Sequence, residues 1–381
     1  MTPGPVELHP RVRKAISRQV ISHRSTEFHK LTESIIENAR KIFKTSGDIF
    51  ILTSSGTLAV ECALANLLDP GDAVFIPVYG VFGKRMAESA EQYGGRVVSI
   101  NVEWNKTLSI EELEEVFTRD NNVEIVSLVH NETSTGTMIK DLSRISEIVK
   151  NHGKLLVVDA VSSLGGVPIP VEKLGIDICL TGAHKCLAGP PGISLISVSD
   201  EAWRKILSKS SKTPSYIDLR KYRQFMEKHE TPFTPAVNLM YGLDEALKII
   251  IEKGVENWWR NHHECSQFLY EELESSGFTI HAIKDYRSIT VAAASPPQGI
   301  NPKILVEEME HQGITIAEGM DKLKDKIIRI ACMGNINKQK IKYVMSKLRE
   351  CVETLKSDNA KLKWMPQTSD YHYQDERIHS V

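Results

Sequence analysis

The stretch TGAHKCLAGPPGISLISVS, residues 181–199, places a lysine between an apolar run and a turn stiffened by two prolines and two glycines. Short Ile, Leu and Val runs flank it, DICLT (177–181) before and GISLISVS (192–199) after. Runs of this length bounded by turn residues have the signature of buried strands. Lys185 therefore sits at a strand end on a fixed backbone. Taken alone it could be a solvated surface lysine, the usual fate of that residue. Desolvated at a strand end, its pKa falls and it can act as an amine nucleophile and proton carrier.

The same pattern extends outward. Further strand candidates are DIFILT (48–53), AVFIP (73–77), RVVSI (96–100), VEIVSLVH (123–130) and KLLVVD (154–159). Between them lie helical segments such as GTLAVECALANLL (56–68), KRMAESAEQYG (84–94) and DLSRISEIVKNHG (141–153). This alternation predicts βαβ units around a mostly parallel sheet covered on both faces. Residues 254–277 have the period of one long amphipathic helix, after which the strands thin out. SITVAAAS (288–295), a helix from Pro302, GITIAEG (313–319), KIIRIACMG (326–334) and a helix from about Lys338 predict a second, smaller α/β domain. The expected organisation is an N-terminal segment (1–20) reaching the site or a partner subunit, a large cofactor-binding domain (21–260), a small C-terminal domain (261–356) and a tail (357–381). That tail, with Trp364, Tyr371 and Tyr373 among polar residues, shows no clear period.

A length of 381 residues suits two domains, and 41% hydrophobic with 25% charged residues is an ordinary globular balance. A formal net charge of -2 lacks the basic footprint of nucleic-acid binding, so a small-molecule ligand is expected. Six cysteines without CxxC spacing, no secretory signal and no apolar stretch of bilayer length point to a reduced, cytoplasmic protein without a membrane role. No ligand spacing calls for a metal.

In a parallel α/β sheet, ligands bind outside the carboxyl ends of the strands. There the sequence delivers Ser54-Ser55-Gly56-Thr57, then His130 to Gly136, then Asp159, then His184-Lys185. The first group opens an apolar helix, whose free amides and hydroxyls suit a phosphate. Alone, it reads first as an ordinary N-cap by Ser54 or Ser55. Asp159 alone could cap a turn; at the floor of a cleft it would hold a protonated heterocyclic nitrogen. Pyridoxal 5'-phosphate satisfies all three, with its aldehyde for Lys185.

The chain resembles the class V, fold-type I aminotransferases, in particular the alanine/serine-glyoxylate group. The segments that carry the resemblance include TPGPVELHP (2–10), ISHRSTEF (21–28), LTSSGTLAVECAL (52–64), PVYGVFGKR (77–85), ETSTG (132–136), VVDAVSSLGG (157–166), GIDICLTGAHKCLAGPPGISLIS (175–197), TPFTPAVNLMYGL (231–243) and IIRIACMGN (327–335). It implies that Ser55, Gly56 and Thr57 hold the cofactor phosphate, Phe82 stacks on the ring, and Thr133 approaches the ring hydroxyl. Asp159 would meet the ring nitrogen with Val161 beneath, His184 would touch the phosphate or ring edge, and Lys185 would carry the Schiff base. Arg329 would clamp the substrate α-carboxylate, and Thr234 would reach the phosphate of a neighbouring subunit, making a homodimer with shared active sites. Relatives often carry tryptophan at Phe82 and glutamine at His184; phenylalanine keeps the stacking face without the indole N–H.

The resemblance implies a ping-pong transaminase with serine or alanine as donor and glyoxylate or pyruvate as acceptor. Phosphoserine and 2-aminoethylphosphonate transaminases share the layout. A cysteine desulfurase would need a mobile-loop cysteine before the small-domain arginine, whereas Cys332 follows Arg329 in a strand. Outside this class stands a non-catalytic α/β binding protein in which Lys185 and Asp159 come together by accident.

Overall fold

The computed structural model describes residues 1–364. The chain opens with α1 (Pro10–Ile16) and α2 (Thr26–Phe43), then alternates β1 (Asp48–Leu52), α3 (Gly56–Leu67), β2 (Ala73–Val78), α4 (Val81–Gln92), β3 (Arg96–Asn101), α5 (Ile110–Arg119) and β4 (Val123–Val129). A small ribbon of β5 (Asn131–Glu132) and β6 (Thr137–Met138) precedes α6 (Leu142–Asn151), β7 (Leu155–Asp159), β8 (Ile178–Gly182), β9 (Ser194–Val198) and α7 (Asp200–Ser208). Next come α8 (Leu219–Met226), α9 (Val237–Lys253), α10 (Val255–Ser275), β10 (Thr279–Ile280), β11 (Val291–Ser295), α11 (Pro302–His311), β12 (Ala317–Glu318), β13 (Ile328–Ala331) and α12 (Lys338–Trp364).

All seven strands expected before residue 200 enter one sheet, in the order β1-β9-β8-β7-β4-β2-β3. Strands β3, β2, β4, β7 and β8 pair in parallel. Strand β9 is antiparallel to both neighbours, so β1 points the same way as the parallel set. The reversal comes from the short Gly-Pro loop after β8, which leaves no room for a helical crossover. As a result the carboxyl ends of β1, β2, β4, β7 and β8 share one edge of the sheet. The edge strand β1 pairs with β9 alone within this sheet.

The smaller sheet, β10-β11-β13-β12, is antiparallel at every pairing. Helix α11 carries the chain from β11 across to β12, and β13 then returns between them through a turn too tight for a crossover. The apolar core divides within α10. Its early residues Val255 and Trp258 pack into the core of the large sheet, whereas Cys265, Leu269 and Leu273 pack into that of the small sheet. Trp258 also donates its indole N–H to the Cys186 carbonyl at 3.2 Å, pinning the turn just after Lys185.

Two differences from the sequence pattern have physical causes. Helix α4 begins at Val81, ahead of the expected Lys84, because distant side chains satisfy its first amides. Helix α12 runs to Trp364, so helix covers the first part of the region after Lys356 where no period is evident; Tyr371 and Tyr373 lie outside the described residues. At the other end, residues 1–6 form a strap across the two sheets. The Met1 amine donates to the Thr315 carbonyl at 2.6 Å and the Met1 carbonyl accepts from Ala331 N–H at 2.9 Å. Val6 N–H then reaches the His184 carbonyl at 3.1 Å. Among the described residues no helix is long and apolar enough to cross a membrane.

Candidate active site

One cavity at the carboxyl edge of the large sheet brings together Ser55, Gly56, Thr57, Phe82, Thr133, Asp159, Val161, His184 and Lys185. They arrive from several different strand ends, as the topology requires. Ser55 is the N-cap residue of α3 by position, yet its hydroxyl caps nothing. Ser54 does not cap either, because its hydroxyl is buried against that of Ser194 at 2.6 Å. The ordinary N-cap reading of this motif therefore fails, and the first turn of α3 keeps its amides and two hydroxyls facing the cavity. Gly56 is needed for space: a Cβ there would stand 2.6 Å from one Val161 methyl and 2.9 Å from the other.

Asp159 ends β7 with 7% of its surface exposed, and its Oδ1 accepts from Val161 N–H at 2.8 Å. Burial pushes its carboxyl up to about 7, opposed by the Val161 amide. Lys185 is 8% exposed and its amine donates to the Pro3 carbonyl of the N-terminal strap. Burial lowers this amine to about 8, so an appreciable part is unprotonated near neutral pH. His184 is pushed down to about 4, first by burial and then by Lys185, and is neutral at physiological pH. Its Nδ1 is buried without a hydrogen-bond partner, a polar atom that calls for a ligand.

Phe82 is half-buried on the first turn of α4, and the Arg85 guanidinium stands over its ring at 5.4 Å from the centroid. Arg329, on β13, lies behind the cavity rather than on its wall. It is 8% exposed, and burial lowers its guanidinium to about 10. Nε donates to the Glu318 carbonyl at 2.9 Å and Nη1 to the Thr133 carbonyl at 3.2 Å. Among the described residues it makes no ion pair. Thr234 is exposed and outside this cavity, on the loop before α9.

Asn131, in the loop from His130 to Gly136 that the strand-end rule brings to the cleft, lines the cavity, with its amide donating to Ser162 Oγ at 2.7 Å. Sequence reasoning passes over Arg85 and Met86, which line the α4 side. Pro3 and Glu132 lie within the TPGPVELHP and ETSTG motifs, but nothing local in the sequence reveals their partners.

A helix N-terminus with uncommitted donors, a buried carboxylate, an orphaned imidazole nitrogen and a desolvated lysine fit pyridoxal 5'-phosphate. Comparison with known proteins agrees. The family model Aminotransferase class-V matches residues 10–343. An uncharacterized aminotransferase of Methanocaldococcus jannaschii is 38% identical over 355 residues, covering 93% of this chain and 91% of its own. The structure of alanine-glyoxylate aminotransferase from Nostoc sp. superposes with a TM-score of 0.88 at 31% identity, covering 93% and 94% of the two chains. Ureidoglycine-glyoxylate aminotransferase from Bacillus subtilis gives 0.88 at 28%, covering 93% of each. The chain belongs to the class-V aminotransferases. It is a pyridoxal phosphate-dependent transaminase of fold type I that acts on amino and 2-oxo acids, which removes the non-catalytic reading.

This geometry makes two outcomes testable. Gly56→Ala should weaken cofactor retention on dialysis by ~10-fold or more, since the added methyl meets Val161; Val161→Ala in the same chain should restore most of it. The second concerns Asp159 in cofactor-free protein. Its folded pKa of about 7 exceeds the ordinary 3.8, so the folded state binds the extra proton and stability falls as pH rises through that window. The size is ~4 kcal/mol. Buried His130 and His262, pushed down to about 4, contribute with the opposite sign between there and 6.5. Asp159→Asn should therefore gain stability on the wild type between pH 4 and 8 in paired urea titrations, and a pH-independent difference would refute the desolvation argument.

Proposed function

We propose that this enzyme moves the amino group of serine or alanine to glyoxylate or pyruvate by a ping-pong mechanism, with Lys185 and Asp159 as its catalytic residues. The observation that carries the small-substrate reading is the strap over Lys185. A Cβ on Gly4 would stand 2.6 Å from Lys185 Cδ and 2.7 Å from Cε and Nζ, so peptide backbone walls the reacting amine closely. A short side chain suits that space. Glyoxylate also appears in the names of both structural neighbours, which supports it as acceptor.

In this reading Ser55, Gly56 and Thr57 would take the cofactor phosphate on the amides of α3, and Phe82, Thr133 and Val161, which line the same cavity, would hold its ring. Bound there, the cofactor supplies an electron sink for the substrate Cα. Asp159 as carboxylate holds a proton on the ring nitrogen. Lys185, whose desolvated amine is the nucleophile of the site, would hold the cofactor through Nζ and, once freed, would serve as the base for the substrate Cα proton. Neutral His184 offers its free Nδ1 to the ligand. Arg329, satisfied by two carbonyls and no carboxylate, takes the substrate α-carboxylate.

Thr234, exposed and away from its own cavity, suits a contact with the phosphate at a neighbouring subunit's site in a homodimer. Six free cysteines, all buried, fit a reducing cytoplasm. Phosphoserine is the weaker donor reading. Arg24 of the SHRS element already donates from Nη1 to Glu230 at 2.5 Å and to the Thr231 carbonyl at 2.9 Å, which disfavours it as the seat of a second phosphate.

The test is the visible absorption of the holoenzyme with L-serine, L-alanine, phosphoserine and 2-aminoethylphosphonate added separately. Serine or alanine should convert the cofactor band to that of its amino form, and glyoxylate or pyruvate should restore it. Conversion by phosphoserine or aminoethylphosphonate alone would replace the substrate assignment. Arg329→Leu should keep the cofactor spectrum while kcat/KM falls by ~100-fold or more for both substrates.

A further inference from the structure

Helix α4 begins behind Gly80, which has no side chain to cap it. Its first three amides are nevertheless all satisfied, by a loop some fifty residues further along the chain. Val81 N–H donates to Ser134 Oγ at 3.0 Å, and the N–H groups of Phe82 and Gly83 both donate to Glu132 Oε2 at 3.1 Å. The other oxygen, Oε1, accepts from Ser134 N–H at 3.1 Å and from its hydroxyl at 2.5 Å. A Cβ on Gly80 would stand 2.2 Å from Glu132 Cγ. The carboxylate arm thus occupies the space a local capping side chain would need.

Glu132 is fully buried, and among the described residues it makes no ion pair. Burial pushes its carboxyl up, while the Ser134 hydroxyl and the amides of Gly83, Ser134 and Phe82 pull it back. A buried carboxylate with four donors and a helix N-terminus facing it is compensated by dipoles, and it organises whatever supplies them. Here the suppliers are two pieces of the site. One is the α4 turn that carries Phe82. The other is the loop whose next residue, Thr133, offers its carbonyl to Arg329 Nη1.

We propose that Glu132 is a positioning residue for transamination: it caps α4 from across the site, fixes the Phe82 ring over the cofactor and, through the Thr133 carbonyl, holds Arg329 in place for the substrate carboxylate. This rests on the proposed roles of Phe82 at the cofactor ring and Arg329 at the substrate. Ser134 completes the device by capping Val81 and donating to the same carboxylate.

The experiment compares wild-type and Glu132→Gln holoenzyme by visible circular dichroism of the bound cofactor, by cofactor release on dialysis and by steady-state kinetics. A glutamine keeps one acceptor and turns the other into a donor facing amides. The expected result is a cofactor dichroic band altered at least ~2-fold, faster release, and KM raised ~10-fold for amino and 2-oxo acid alike, with a smaller change in kcat. A variant with lowered melting temperature but unchanged dichroism and KM would make Glu132 merely structural and overturn the proposal. Should Glu132→Gln not fold, Ser134→Ala reports instead: it keeps the carboxylate's bonds to Phe82 and Gly83 and should shift the dichroism in the same sense by less, whereas no shift overturns the proposal. Failure of the underlying functional reading looks different, because wild-type holoenzyme would then not respond to serine or alanine.

Discussion

The site depends on keeping ionisable groups out of water without pairing them with one another. Lys185, Asp159, Glu132 and Arg329 are all at least nine-tenths buried. Each is held by neutral dipoles: a carbonyl for Lys185, an amide for Asp159, amides and a hydroxyl for Glu132, two carbonyls for Arg329. Neutral partners satisfy a buried charge without cancelling its field. The electrostatic capacity of the cleft is therefore left for what enters it. An arginine-carboxylate pair built into the protein would have been easier to bury and useless for binding a substrate carboxylate.

The strands supply that burial. Six of the seven strands of the large sheet point one way, so their polar ends gather at one edge, while the antiparallel β9 lets β1 join them from the far side of β8. The small sheet adds Arg329 from behind, and the N-terminal strap spans both. The small sheet is thus tied to the cavity's surroundings by the strap's backbone contact at Ala331 as well as by the bond from Arg329 to the Thr133 carbonyl.

Much of this was legible in the sequence, and the reason is local. Continuous Ile, Leu and Val runs mark strands buried on both faces, and the residues just after each run must lie at the strand's carboxyl end. Ser55, Asp159, His184 and Lys185 could be found on that rule alone. That rule also brought the loop from His130 to Gly136, and with it Thr133, to the cleft; the particular role of Thr133, and Phe82, Val161, Arg329 and Thr234 altogether, needed the family resemblance. The bonds of Glu132 to α4, and with them the start of that helix, were hidden because a cap supplied from fifty residues away leaves no local signal, and Gly80 looks like a loop glycine until the arm beside it is seen. The Pro3 carbonyl escaped for the same reason: the identity of a residue says nothing about where its backbone oxygen points. The antiparallel small sheet was hidden too, since strand and helix alternate there as they would in a parallel one.

The single partner of β1 sets an order on assembly. Strands β2, β3, β4, β7 and β8 are mutual neighbours and are complete once residue 182 has left the ribosome. Strand β1 is synthesised before all of them, yet it has nowhere in the large sheet to dock until β9 emerges about 150 residues later. Closing so long a loop is slow compared with local pairing. The Ser55-Gly56-Thr57 turn at the end of β1, although encoded first, is consequently among the last parts of the large sheet's carboxyl edge to be put in place, and a chain halted before residue 194 would carry Asp159 and Lys185 with that wall of the cavity unanchored.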